Sequence, residues 1–137
     1  MCDDYANAAV RHFRDGQLLE EGRRLPNADQ LFGLAAECAV KTALVTVPGV
    51  AQDGTLSDRH RQHIDRLWDL MPLQGIQRRY RGLVAVLKGL RRPFADWSIE
   101  QRYWPDPVVT DEALARHRQA AMRLLGSVCL TGWRKGT

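Results

Sequence analysis

No stretch of this 137-residue chain approaches the roughly 20 consecutive apolar residues needed to span a bilayer. Its N-terminus, Met1-Cys2-Asp3-Asp4, is acidic where a secretory signal would be basic. Both shortages predict a cytoplasmic protein with no membrane partner. Cysteine is sparse: Cys2, Cys38 and Cys129 lie far apart and form no C-x-x-C pair, which argues against a disulfide framework or a zinc site. Cys38 and Cys129 are expected to act as small core hydrophobes. There is no internal repeat, no low-complexity tract and no series of alternating strands, and nothing calls for a cofactor. One shortage is local: between Asp69 and Asp96 there is not a single Asp or Glu.

What is present suits one domain spanning residues 1–137, since 45% apolar and 26% charged residues are ordinary for a globular chain of 15.5 kDa. The net charge of +4 is unevenly spread. Residues 1–56 hold five Lys/Arg against eight Asp/Glu, a balance of −3, and residues 57–137 hold fifteen against eight, a balance of +7. Seventeen of the twenty basic residues are arginine, a bias that suits bidentate phosphate or carboxylate contacts and that genome composition also produces.

Helical spacing dominates. Asp3 and Asp4 can start a helix through Tyr5, Ala9, Val10 and Phe13, closed near Gly22 before Pro26. A second, central helix is predicted from an N-cap at Asn27, with Asp29 and Gln30 in its first turn, to about Val45. Its stripe is Leu31, Leu34, Ala35, Cys38 and Thr42, flanked by Phe32, Ala36, Ala39 and Ala43. The Pro48-Gly49 and Asp53-Gly54 pairs mark a surface loop. A third helix is predicted from Ser57 or Asp58 to about Met71, and a fourth from Gln77 to Arg91 with Tyr80, Leu83, Val84, Leu87 and Leu90 inward. The aromatic stretch Phe94–Pro107 reads as a short helix or turn packed on the bundle. Thr110-Asp111-Glu112 caps a last helix reaching about Leu130, followed by a polar, basic tail that holds Trp133. The expected fold is all-α, an up-and-down bundle of four or five helices.

Three stretches resemble HEPN domains. They are Ala28-Asp29-Gln30-Leu31 with Ala35-Ala36-Glu37-Cys38-Ala39-Val40-Lys41, His63-Ile64-Asp65-Arg66-Leu67-Trp68, and Trp97-Ser98-Ile99-Glu100-Gln101-Arg102-Tyr103. They span residues 28–103, about half of the chain. The resemblance implies a small helical bundle, often dimeric, and many members of that family are RNases or toxins of toxin–antitoxin systems. Their catalytic signature is an Arg followed after four to six residues by His. This chain departs from it, because Arg59 and His63 have three residues between them and Arg102 and His117 are far apart.

Several groups are candidates for chemistry. His117, on the apolar face of the last helix, is either an interior histidine or an acid or base facing Arg102, which would stabilise a phosphorane. Arg102 alternatively pairs with Glu37 or Asp96. Arg78, Arg79, Arg81, Lys88, Arg91 and Arg92 form a basic face suited to a nucleic-acid backbone, a nucleotide or an acidic partner protein. Glu37 and Lys41 are an i,i+4 pair that either borders a groove with His63 and Tyr103 or merely lines a solvent-facing strip. His60 and His63 supply two potential metal ligands where zinc takes three or four, so a packing role is expected. Trp97, Tyr103 and Trp104 either stack bases or plug the end of the bundle. Two functions follow: a non-catalytic HEPN-like module that binds RNA, a nucleotide or a protein, or a metal-independent endoribonuclease using Arg102 and His117. A purely structural subunit is a third.

Overall fold

The computed structural model describes residues 3–133. Helix α1 (Tyr5–Glu21) starts where the Asp4 side chain accepts the Asn7 N–H, and the three-residue link Gly22-Arg23-Arg24 turns the chain back along it into α2 (Leu25–Leu44). Gly22 is the C-cap, but the left-handed residue of that link is Arg23, at φ 59°. Helix α2 begins two residues before the predicted cap. Arg24 is its N-cap and Pro26 sits in the first turn, where a missing N–H costs nothing.

Helix α2 packs against α1, against α6 (Asp111–Ser127) and against the short elements between them. Phe32, Ala35, Ala36, Ala39, Val40 and Ala43 are fully buried, so the core face takes in the predicted flank together with Ala35 and Cys38 of the predicted stripe, while Leu31, Leu34 and Thr42 are only half-buried. The physical reason is size: alanines on the inner face let two long helices approach the same helix. Phe13 of α1 meets Phe32 at 5.2 Å between ring centres, and Trp133 closes on Phe13 edge-on, also at 5.2 Å. Trp133 is thus part of the core, and residues 134–137, like Met1 and Cys2, lie outside the described residues. Thr110 caps α6 as predicted, its side chain accepting the Ala113 N–H. Cys38 is buried, whereas Cys129 is exposed at φ 62° and is not a core residue.

Between α2 and α6 the chain is more broken than its periodicity predicts. The expected loop contains a minimal antiparallel hairpin, β1 (Ala51–Gln52) with β2 (Thr55–Leu56), turned by Asp53 and Gly54, whose φ values of 53° and 79° suit a tight primed turn. The predicted third helix is three pieces: a 3-10 turn at Asp58–His60, helix α3 (Ile64–Leu67) and a 3-10 turn at Trp68–Leu70. The His60 ring breaks it by bonding the Ser57 hydroxyl and the Leu70 carbonyl, 2.9 and 3.2 Å away. The predicted fourth helix, Gln77 to Arg91, is shorter, α5 (Arg81–Gly89), and is preceded by a short helix α4 (Leu73–Gln77) that the periodicity did not predict. Pro72 is the N-cap of α4, and Gly75 lies within it. The result is an all-α protein with three long helices, three short ones and a two-stranded ribbon among the described residues.

The aromatic stretch does pack on the bundle. Trp97 lies across α2, and its indole N–H donates to the Asp29 carbonyl at 3.0 Å. Gly33 makes room for that ring, since a Cβ there would stand 2.0 Å from the indole. Trp97 and Phe94 are the plug, while Tyr103 and Trp104 are exposed.

Candidate functional site

Two polar nodes lie inside the bundle. At the N-terminal end of α2, Asp29 is expected from sequence to serve exposed N–H groups, yet it is fully buried. Its Oδ1 is 2.6 Å from His117 Nδ1 of α6, and its Oδ2 accepts the Gln101 amide at 2.6 Å. His117 Nε2 is 2.7 Å from Asp96 Oδ1, which also takes the Arg116 guanidinium at 2.7 Å. The imidazole stacks on Phe94 with 5.4 Å between ring centres. A ring with a carboxylate oxygen against each nitrogen donates both protons only as imidazolium. Burial pulls the His117 pKa down, but hydrogen bonds and charge from Asp29 and Asp96 outweigh it, and the net direction is up. For Asp96 partial burial pushes up, the Arg116 and His117 bonds push down, and down prevails.

This node decides the fate of one predicted pair. His117 is 1% exposed with both nitrogens engaged. Arg102 is exposed and lies over the Tyr103 ring, 5.0 Å from its centre. Among the described residues no bond joins Arg102 to His117, Glu37 or Asp96, so the cleft expected between Arg102 and His117 does not form. Asp96, one of the partners expected for Arg102, pairs with Arg116 instead. The sequence placed Asp29 in a first helical turn and offered Asp96 to Arg102, and it gave no sign that Gln101 and Arg116 complete a node around His117.

The second node lies eight residues further along α2, about 12 Å at the helical rise. Glu37 Oε1 accepts both His63 Nδ1 and the Ile64 backbone N–H at 3.0 Å, and its Oε2 accepts Lys41 Nζ at 3.0 Å. Glu37 and Lys41 are buried, so they do not line a solvent-facing strip. The carboxylate caps α3, which has no side-chain cap of its own. Lys41 Nζ also lies 5.8 Å from the centre of the Tyr5 ring. Burial and then Asp3 push the Tyr5 phenol up to about 12, and burial and then Glu37 push the Cys38 thiol up to about 12. His63 keeps 48% of its side chain exposed, and its Nε2 has no protein partner among the described residues. Of the predicted groove, Glu37, Lys41 and His63 do assemble. Tyr103 does not join them and stands on the 3-10 turn Ile99–Tyr103, 73% exposed.

The basic face is a surface. Arg78, Arg79, Arg81, Lys88, Arg91 and Arg92 are all exposed. Arg92 pairs with Asp69 at 3.1 Å and the Arg79 guanidinium lies 5.9 Å from the Tyr80 ring centre, but no other carboxylate reaches the six among the described residues. Helix α5 buries Leu83, Val84 and Leu87 and turns Arg81, Gly82, Ala85, Lys88 and Gly89 outward. A Cβ added at Gly89 would meet open space. The outer face is therefore cationic and nearly flat. Arg78, Arg79 and Arg81 crowd the N-terminus of α5, where the helix dipole is already positive and no acidic residue stands in the first turn. Each such placement disfavours the helix by up to about 1 kcal/mol.

Among the described residues no helix is long and apolar enough to cross a membrane, and no group of three or more His, Cys, Asp or Glu is placed to hold a metal ion. His60, with both nitrogens bonded inside the fold, is a packing residue. In comparisons with known proteins, no family model, no curated protein and no solved structure matches the chain.

Proposed function

We propose that this chain is a non-catalytic, HEPN-like helical module, acting in the cytoplasm, that binds the phosphate backbone of RNA through the face built on α5. The observation that carries the reading is the basic set around α5. Five of its six cations lack a carboxylate partner among the described residues, and three of them oppose the dipole of the helix they flank. Positive charge placed against a helix dipole costs stability, and an anion at that end offsets it. The small outer residues Gly82, Ala85 and Gly89 leave room for a sugar–phosphate strand between Arg81 and Lys88. A nucleotide or an acidic protein would meet the same charges with fewer phosphates to engage. The endoribonuclease reading needs His117 and Arg102 at one substrate, and His117 is enclosed.

The test is binding of fluorescent single-stranded RNA as salt rises from 50 to 200 mM. About five phosphate contacts correspond to a slope of about −3.5 in log K against log salt for a single strand. Arg81→Glu with Lys88→Glu is expected to abolish binding without changing the melting temperature by more than a few degrees. Undiminished binding by that variant, or no binding of the parent protein at low salt, overturns the proposal. Cleavage of the RNA, lost in Arg102→Ala at an exposed position with thermal unfolding unchanged, hands the function to the enzyme instead.

A further inference from the structure

Three of the four exposed large hydrophobics, Tyr103, Trp104 and Val108, fall within six residues of one another. The segment that shows them is held firmly. Ser98 and Gln101 form a capping box, and the Gln101 amide is anchored on buried Asp29. Pro105 and Pro107 restrict the backbone that follows. Tyr, Trp and Arg side chains on a pre-ordered support are the composition of binding hot spots, because little conformational freedom remains to be lost on contact.

Charge identifies the occupant. Residues 96–112 contain five acidic residues and one basic, Arg102, a balance of −4. Asp96 and Asp111 are engaged by Arg116 and Arg23, and Glu112 feels the Arg116 charge one turn on without an ion pair, which leaves Glu100 and Asp106 exposed with no ion pair among the described residues. A nucleic acid would be repelled by this surface, whereas a flat cationic one would be attracted. The chain carries such a surface. Residues 70–95 hold six basic residues and no acidic one, and the outer face of α5 is smooth enough for aromatic rings to lie on, with guanidinium groups beside them. Within one molecule the two sets do not pair: no ion pair joins the basic residues of 78–92 to the acidic residues of 96–112 among the described residues.

We propose that the aromatic, acidic segment 99–108 of one molecule docks on the basic face of α5 in a second copy of the same chain. Electrostatic complementarity aligns the copies, and Tyr103 and Trp104 supply the apolar contact. The contact needs no nucleic acid and does not rest on RNA binding, although both use α5.

The experiment is sedimentation velocity of the purified chain without nucleic acid, in 25 and 500 mM salt. The parent protein is expected to self-associate in low salt and dissociate in high salt. Two charge-reversed variants test the surfaces: Glu100→Lys, Asp106→Lys and Glu112→Lys in one, and Arg78→Glu, Arg81→Glu and Lys88→Glu in the other. Each alone is expected to associate at least about tenfold more weakly, since like charges then face each other. An equimolar mixture of the two is expected to regain association. Tyr103→Ser with Trp104→Ser, both exposed, is expected to weaken it to a similar degree with thermal unfolding unchanged. A monomeric parent at low salt, association insensitive to either reversal or to loss of the aromatics, or a mixture that stays monomeric overturns the proposal. The segment variants separate the two readings: Glu100→Lys with Asp106→Lys and Glu112→Lys, or Tyr103→Ser with Trp104→Ser, leaves the α5 cations in place, so each is expected to weaken self-association while RNA binding persists.

Discussion

Asp29 Oδ1 and His117 Nδ1 stand 2.6 Å apart although 88 residues separate them in the chain. The pair ties the first turns of α2 to the middle of α6, and Asp96 on the other ring nitrogen ties both to the aromatic stretch. With Asp29 and His117 each about 1% exposed, breaking the pair leaves a buried charge uncompensated. His117→Ala is therefore expected to cost about 3–5 kcal/mol, read as a shift in the urea midpoint at pH 6. A loss below 1 kcal/mol would mean that Asp29 finds another partner.

The same pair makes stability depend on pH. His117 has a raised pKa in the folded chain, so its contribution is fully present below the ordinary histidine value of about 6.5 and is lost as pH climbs through the raised value. Asp96, with a lowered pKa, contributes above the ordinary carboxylate range and loses that contribution as pH falls through the lowered value. Urea midpoints measured from pH 3 to pH 10 should peak between those limits and decline on the alkaline side. In His117→Asn the alkaline decline should flatten.

Glu37 serves three donors at once, and the two variants of its ion pair are expected to differ. Glu37→Ala strands the buried Lys41 ammonium and uncaps α3, at about 3–5 kcal/mol. Lys41→Met leaves the carboxylate its His63 and Ile64 donors and replaces the stem with an apolar chain of similar length, so the loss should be smaller. Hydrogen exchange at the Ile64 amide should accelerate in the first variant and change little in the second.

Gly33 is where the indole of Trp97 crosses α2. Gly33→Ala would set a methyl group 2.0 Å from the ring and displace the Trp97 bond to the Asp29 carbonyl. Overpacking of this kind costs about 1–3 kcal/mol or more. Thermal unfolding should show the loss, and Trp fluorescence should shift as the indole moves toward water.

Thiol chemistry should distinguish two cysteines. Burial and Glu37 hold the Cys38 thiol near 12, so it should resist iodoacetamide at pH 8 in the native state. Cys129, exposed beyond the end of α6, should be alkylated. Peptide mass mapping of the labelled protein checks both.

Much of the helical framework was legible in the chain because it rests on local signals. Asp4 and Thr110 cap their helices, Gly22 ends α1, and Phe13 faces inward at its helical spacing. The periodicity of residues 57–71 misled for a different reason: the apolar spacing of a long helix is present, but the His60 ring bonds Ser57 and Leu70 and Glu37 bonds His63 and the Ile64 N–H, and the segment is broken into short turns. The basic face around α5 was visible as a plain shortage of carboxylates, and its exposure follows from the same helical phase that buries Leu83, Val84 and Leu87.

Partner choice among charged residues was not legible, because it depends on distance across the fold. By itself the sequence determined that the chain is helical, where its long helices lie and which stretch carries unopposed positive charge, since those are matters of spacing and composition. Only the tertiary structure decided that His117 faces Asp29 and Asp96 rather than Arg102, that Glu37 caps α3, and that Tyr103 stands in solvent while Trp97 is buried. Each of those outcomes is set by which helix lies beside α2, and residues 70 or 90 positions apart carry no local mark of that adjacency.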